Sequence, residues 1–176
     1  MRLIVSESQL LRLVKEINSN SEIKTPVKYD AVLVGGLDNR KGDLELDSQV
    51  ALLKRGFGSD KKVKGFRYNA PTPSILSFME SNPRIPIYLF SAGCIKSEDL
   101  ASNKNVDKSK LYIIEPYALS NTTKEIVRNA VGLGVPSSNV FVGGSTGRGK
   151  GIVNGASSSE ASSHWNALTS VGQMTK

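Results

Sequence analysis

The sequence predicts an α/β protein of three layers, with a mainly parallel sheet of five to six strands and helices on both faces. Three observations predict it. Short continuous apolar runs, such as Ala31–Val34 and Ile85–Phe90, have the length and composition of strands buried on both faces. Helical patterns alternate with these runs, so successive strands are joined by crossovers and run parallel. The connections are of ordinary length and are marked by glycine, proline or asparagine.

Residues 1–28 read as a helical appendage and residues 29–176 as the α/β domain. Ser6-Glu7-Ser8-Gln9 has the form of a capping box, with Ser6 as the cap and Gln9 reaching back. Leu10, Leu11, Leu13, Val14 and Ile17 then make an apolar stripe at helical spacing, and the helix is expected to stop near Asn18–Ser21. The stripe reads as packed on the domain surface. The alternative is a docking helix for a protein partner.

Ala31–Val34 is the first strand, closed by Gly35-Gly36. A helix over Asp47–Arg55 ends at Gly56 and Gly58, and Val63–Tyr68 is the second strand. Pro71 and Pro73 open a helix through Ile75, Leu76, Phe78 and Met79, which Asn82-Pro83 closes. Ile85–Phe90 is the third strand, followed by the turn Ser91-Ala92-Gly93 and a helix over about 96–102. Leu111–Ile114 is the fourth strand, Thr122–Val131 a helix ended by Gly132 and Gly134, and Val140–Val142 the fifth strand. A glycine- and serine-rich stretch then leads to His164–Leu168, the start of a last helix.

Composition narrows the function classes. The chain has 176 residues, 39% of them hydrophobic and 22% charged, which suits one globular domain and not a disordered chain. No apolar run approaches the ~18 residues of a membrane span, and the opening MRLIVSESQL does not read as a signal peptide. One cysteine and one histidine exclude a disulfide framework, a multi-cysteine zinc site and a three-histidine metal centre, so the expected compartment is a reducing cytoplasm. The net charge of +7 invites a nucleic-acid reading. Its densest stretch, Lys54, Arg55, Lys61, Lys62, Lys64 and Arg67, is broken by Gly56, Gly58, Ser59 and Asp60, and reads as a solvated turn. Nucleic acid is therefore not the expected partner.

Ligands of such sheets bind at the carboxyl ends of the strands. Leu89-Phe90-Ser91-Ala92-Gly93 places a serine on a sharp strand-to-helix turn there, where a nucleophile is exposed and a small residue two positions on lets the next helix approach. The other reading of Ser91 is a plain helix cap. Gly35-Gly36-Leu37 suits either a loop whose N–H groups face a substrate or an ordinary turn. Cys94 is an alternative nucleophile or a packing residue. Gly144–Gly151 has Gly144, Gly149 and Lys150 of a phosphate loop, but Gly151 stands where the hydroxyl residue belongs. Asp38, Asp43, Glu45 and Asp47 match no calcium loop and read as solvated.

These segments together resemble the α/β-hydrolase superfamily in its minimal, cutinase- and lipase-like form, over roughly residues 29–172. The elbow of that family is G-x-S-x-G, and here Leu89 stands in place of the first glycine. The resemblance implies a cofactor-free serine hydrolase acting on a small-molecule or polymer ester, or an amide. Ser91 would be the nucleophile and His164, 12 residues from the C-terminus, the base. The oxyanion would be held by the N–H of Ala92 with that of Gly36 or Leu37, in the loop that begins at Gly35. The family's commonest acid position reads Gly143-Gly144-Ser145-Thr146-Gly147, so the acid is displaced or absent. Of Glu115, Glu125 and Glu160, Glu115 ends a strand on the active edge and is the choice. The rival reading is a non-catalytic binding or structural module on the same fold, part of a larger assembly, viral among the options, joined through the 1–28 helix.

Overall fold

The structure is a computed structural model that describes residues 6–20, 27–38, 44–117, 121–143 and 151–176. Its elements are α1 (Glu7–Asn20), β1 (Ala31–Val34), α2 (Leu46–Phe57), β2 (Val63–Phe66), α3 (Thr72–Ser81) and β3 (Ile87–Phe90). A 3-10 turn over Ser91–Lys96 leads into α4 (Ser97–Ser102). Then come β4 (Leu111–Ile114), α5 (Asn121–Gly132), β5 (Val140–Val142), β6 (Ser157–Ser158) and α6 (Asn166–Met174).

The six strands form one all-parallel sheet in the order β2-β1-β3-β4-β5-β6. From β1 the chain moves out to β2, then crosses back to β3 on the other side. That reversal opens a crevice between the carboxyl ends of β1 and β3, the place where such sheets bind ligands.

The strands read as unbroken apolar runs because both faces are covered. Val32, Val34, Ile87, Leu89, Leu111 and Ile113 point into a cluster with Ile75, Leu100 and Val127 of α3, α4 and α5. Their neighbours Ala31, Leu33, Tyr88, Phe90 and Ile114 point the other way, onto Leu53 of α2 and Leu168 and Val171 of α6. Two-residue alternation thus feeds two cores from the same strands. Each fully buried leucine or isoleucine contributes roughly 2 kcal/mol by removal from water, so both faces are needed to hold the sheet.

Local chemistry sets the helix ends. The capping box forms as expected: Gln9 Oε1 accepts the Ser6 N–H at 3.0 Å, and Ser6 Oγ accepts the Gln9 N–H at 3.4 Å. At the end of α5, Gly134 takes φ +105. The Val135 N–H reaches the Ala130 carbonyl and the Gly134 N–H reaches that of Val131, a Schellman ending.

Helices α2 and α6 meet backbone to backbone. A Cβ on Gly56 would run into the Thr169 carbonyl, and one on Gly172 would lie 2.9 Å from the Leu53 carbonyl oxygen. Thr169 Oγ1 also donates to the Leu52 carbonyl at 2.9 Å. This contact fixes α6, and with it the His164-Trp165 segment just ahead of it.

The sixth strand of the expected five to six is Ser157–Ser158, whose two serines carry no apolar signal. Three expectations are corrected. The second strand stops at Phe66 and not Tyr68. Helix α2 runs through Gly56 to Phe57, and only Gly58 ends it. Leu10 and Leu11 of α1 are 57% and 59% exposed, so the stripe is not packed on the domain surface at those positions. No helix among the described residues is long and apolar enough to cross a membrane.

Candidate active site

Ser91 follows the fully buried β3 and sits at φ +51 with 6% of its surface exposed. A left-handed conformation costs a non-glycine residue on the order of 1–3 kcal/mol, and such residues cluster at functional sites. Ser91 is the first residue of the 3-10 turn, whose cap position belongs to Phe90. Ser91 thus lies within the turn and not at its cap position. Across the crevice, a Cβ on Gly36 would come within 2.9 Å of Ser91 Cβ and 3.3 Å of its Oγ, so the β1 loop touches the serine directly.

Gly93 makes that approach possible. A Cβ there would run into the Val34 carbonyl and come within 2.7 Å of the Gly35 carbonyl oxygen. Both obstacles are backbone and neither can swing aside. We expect Gly93→Ala to cost roughly 3 kcal/mol, at the upper end of ordinary overpacking, as measured by urea unfolding.

Glu115 terminates β4 and is the second strained residue of the site, at φ +45. Its N–H donates to the Phe141 carbonyl at 2.8 Å, and two residues on, the Tyr117 N–H donates to the Ser91 carbonyl at 3.3 Å. The corner at Glu115 is thus tied to the turn at Ser91. The Glu115 carboxylate is 1% exposed. Its Oε1 accepts a 2.7 Å hydrogen bond from Ser159 Oγ, itself wholly buried, and its Oε2 faces His164 Nδ1 at 3.7 Å. That separation is an ion-pair distance and not a hydrogen bond. Oε2 and Nδ1 are both buried without a hydrogen-bond partner.

The His164 ring packs against two aromatic rings, tilted on one and edge-on to the other. It lies 4.8 Å from the Phe90 ring and 5.3 Å from Trp165. Phe90 immediately precedes Ser91, so the histidine is packed on the strand end that carries the serine. No hydrogen bond joins Ser91 to His164 among the described residues.

The loop after β1 is clamped by a residue that sequence reasoning missed. Gln49 of α2 is wholly buried. Its Oε1 accepts the Gly36 N–H at 2.8 Å, and its Nε2 donates to the carbonyls of Leu44 at 2.8 Å and Leu37 at 3.4 Å. The signal was a polar side chain on the buried stripe of α2, in helical register with Leu53 and Gly56. Ser159 carried no comparable signal, because it lies in a serine run 44 positions from its partner.

The remaining candidates fall outside this arrangement. Glu125 and Glu160 are exposed. Cys94 Sγ donates to the Leu89 carbonyl at 3.2 Å, and burial pushes its thiol up, so it stays protonated and packs as a small core residue. Asp38 pairs with Arg67 at 3.1 Å, Lys61 with Asp30 at 3.8 Å, and Lys64 sits over the Phe66 ring. The basic stretch is thus partly neutralised. Residues 144–150 of the phosphate-loop-like segment, and Asp43, lie outside the described residues. A surface cleft of about 410 Å³ lies elsewhere, lined by Arg128, Val131 and 151–154. Arg128 is occupied there by the carbonyls of Gly151 and Ile152. Among the described residues no group of three His, Cys, Asp or Glu side chains is placed to hold a metal ion.

No protein-family model, curated protein or solved structure matches this chain.

Proposed function

We propose that this protein is a small serine hydrolase of the α/β-hydrolase kind, acting on an ester or amide. The observation that carries the reading is the strained Ser91 at the β1/β3 crevice, with the buried Glu115 at the end of the neighbouring strand facing His164, whose ring packs on Phe90. His164 Nδ1 faces the carboxylate, which leaves Nε2 as the nitrogen for the serine.

In this reading Ser91 Oγ attacks the substrate carbonyl carbon as His164 Nε2 takes its proton. The carbonyl electrons move onto oxygen, and the N–H groups of Ala92 and the β1 loop donate hydrogen bonds to it. Ala92 is the second residue of the 3-10 turn, so its N–H has no acceptor within the turn. Collapse of the adduct returns the His164 proton to the departing alcohol or amine and leaves an acyl-serine. Water, deprotonated by the same histidine, then releases the acid. Glu115 holds the ring and stabilises the imidazolium, and Ser159 holds Glu115.

A second reading, a non-catalytic binding module, is favoured by the 3.7 Å Glu115–His164 separation and by the exposed α1 leucines. Turnover of p-nitrophenyl esters of increasing chain length decides between them. The hydrolase reading expects saturable release of p-nitrophenol that a fluorophosphonate abolishes. A flat response, with a known esterase active in parallel, contradicts it.

A further inference from the structure

We propose that Gln49 is a positioning residue for the oxyanion hole, and that it selects the Leu37 N–H over that of Gly36 as the loop's donor. The inference rests on the hydrolase reading. A wholly buried amide is costly unless its polar atoms are paired, and those of Gln49 are spent on the β1 loop and on Leu44 just ahead of α2. Gly35 makes this possible: a Cβ there would lie 2.6 Å from Gln49 Oε1 and 2.8 Å from Leu46 Cδ1.

The consequence is a division of labour along three residues. Gly35 admits the Gln49 side chain. Gly36 lies against Ser91, and its N–H is consumed by Gln49 Oε1 at 2.8 Å. Leu37 offers a carbonyl to Gln49 Nε2, while its own N–H has no acceptor among the described residues. A donor held in place before reaction stabilises a developing oxyanion without reorganising, which is the property an oxyanion hole needs. Gln49 supplies that rigidity from outside the reacting centre.

Amide NMR on the intact protein tests this directly. Phenylboronic acid forms a tetrahedral anion on an activated serine. Its titration is expected to shift the Leu37 and Ala92 amides, while the Gly36 amide stays protected from hydrogen exchange before and after. A shift and deprotection at Gly36 in place of Leu37 overturns the inference and leaves the hydrolase reading standing. No shift anywhere around Ser91 and His164 overturns both. Kinetics supply the second arm. Gln49→Leu should lower kcat about 10- to 100-fold with KM for p-nitrophenyl butyrate within about threefold, because one donor of a pair is worth 10²–10³ in kcat. Gln49→Glu, which keeps an acceptor for the Gly36 N–H but has no N–H for the Leu37 and Leu44 carbonyls, should recover little of that loss. Equal kcat in a folded Gln49→Leu variant overturns the inference.

Discussion

On the hydrolase reading, replacing Ser91 by alanine lowers ester turnover by roughly 10⁴ or more, since loss of the nucleophile from a triad costs on the order of 10⁶ in kcat. The fold should survive, because Ser91 Oγ makes no hydrogen bond among the described residues. Ser91→Gly sharpens the test. Glycine adopts φ +51 without penalty. Relief of about 1–3 kcal/mol of strain outweighs the ~0.5–1 kcal/mol of extra backbone entropy that glycine loses on folding. We therefore expect the glycine variant to be inactive yet about 1 kcal/mol more stable in urea unfolding. Loss of stability in Ser91→Gly would point to a structural serine.

Glu115→Gln is the second large effect, an expected fall of about 10³–10⁴ in kcat. Gln can still accept the Ser159 hydroxyl, so the buried contact of 2.7 Å is preserved. Toward His164 it can present an N–H in place of a carboxylate oxygen. That favours the wrong histidine tautomer, a change that costs about 10⁴ where an amide replaces the acid of a triad. KM should change little, since the carboxylate is buried beneath the ring. Ser159→Ala is the milder companion: it leaves one carboxylate oxygen without its donor but keeps the charge. If Glu115→Gln retains full kcat, Glu115 is a structural acid and the base is oriented by something else.

Much of the fold was legible because its physics is local. Strands covered on both faces must be apolar throughout, and Ala31–Val34 and Ile87–Phe90 say so directly. The Ser6–Gln9 box and the glycine after α5 act within one turn of chain. The two-residue β6 was not legible, because pairing with β5 and not composition defines it. Nor was the covering of α1: periodicity marks a stripe but does not say what lies against it.

The site divides in the same way. Ser91 with Gly93 is a local pattern, since a sharp turn demands a small residue two positions on, and the Val34 and Gly35 carbonyls show why. His164 and Glu115 were singled out by chain order and by a strand end, and the structure brings them within 3.7 Å of each other. Ser159 and Gln49 were not, because each is defined by a partner that only the folded sheet brings near.

Fluorophosphonate labelling, with the modified residue located by tandem mass spectrometry, tests the central claim most directly. The account predicts one adduct, on Ser91, absent from heat-denatured protein and from His164→Ala. No adduct on the native protein, or an adduct on another serine that persists in Ser91→Ala, would contradict it.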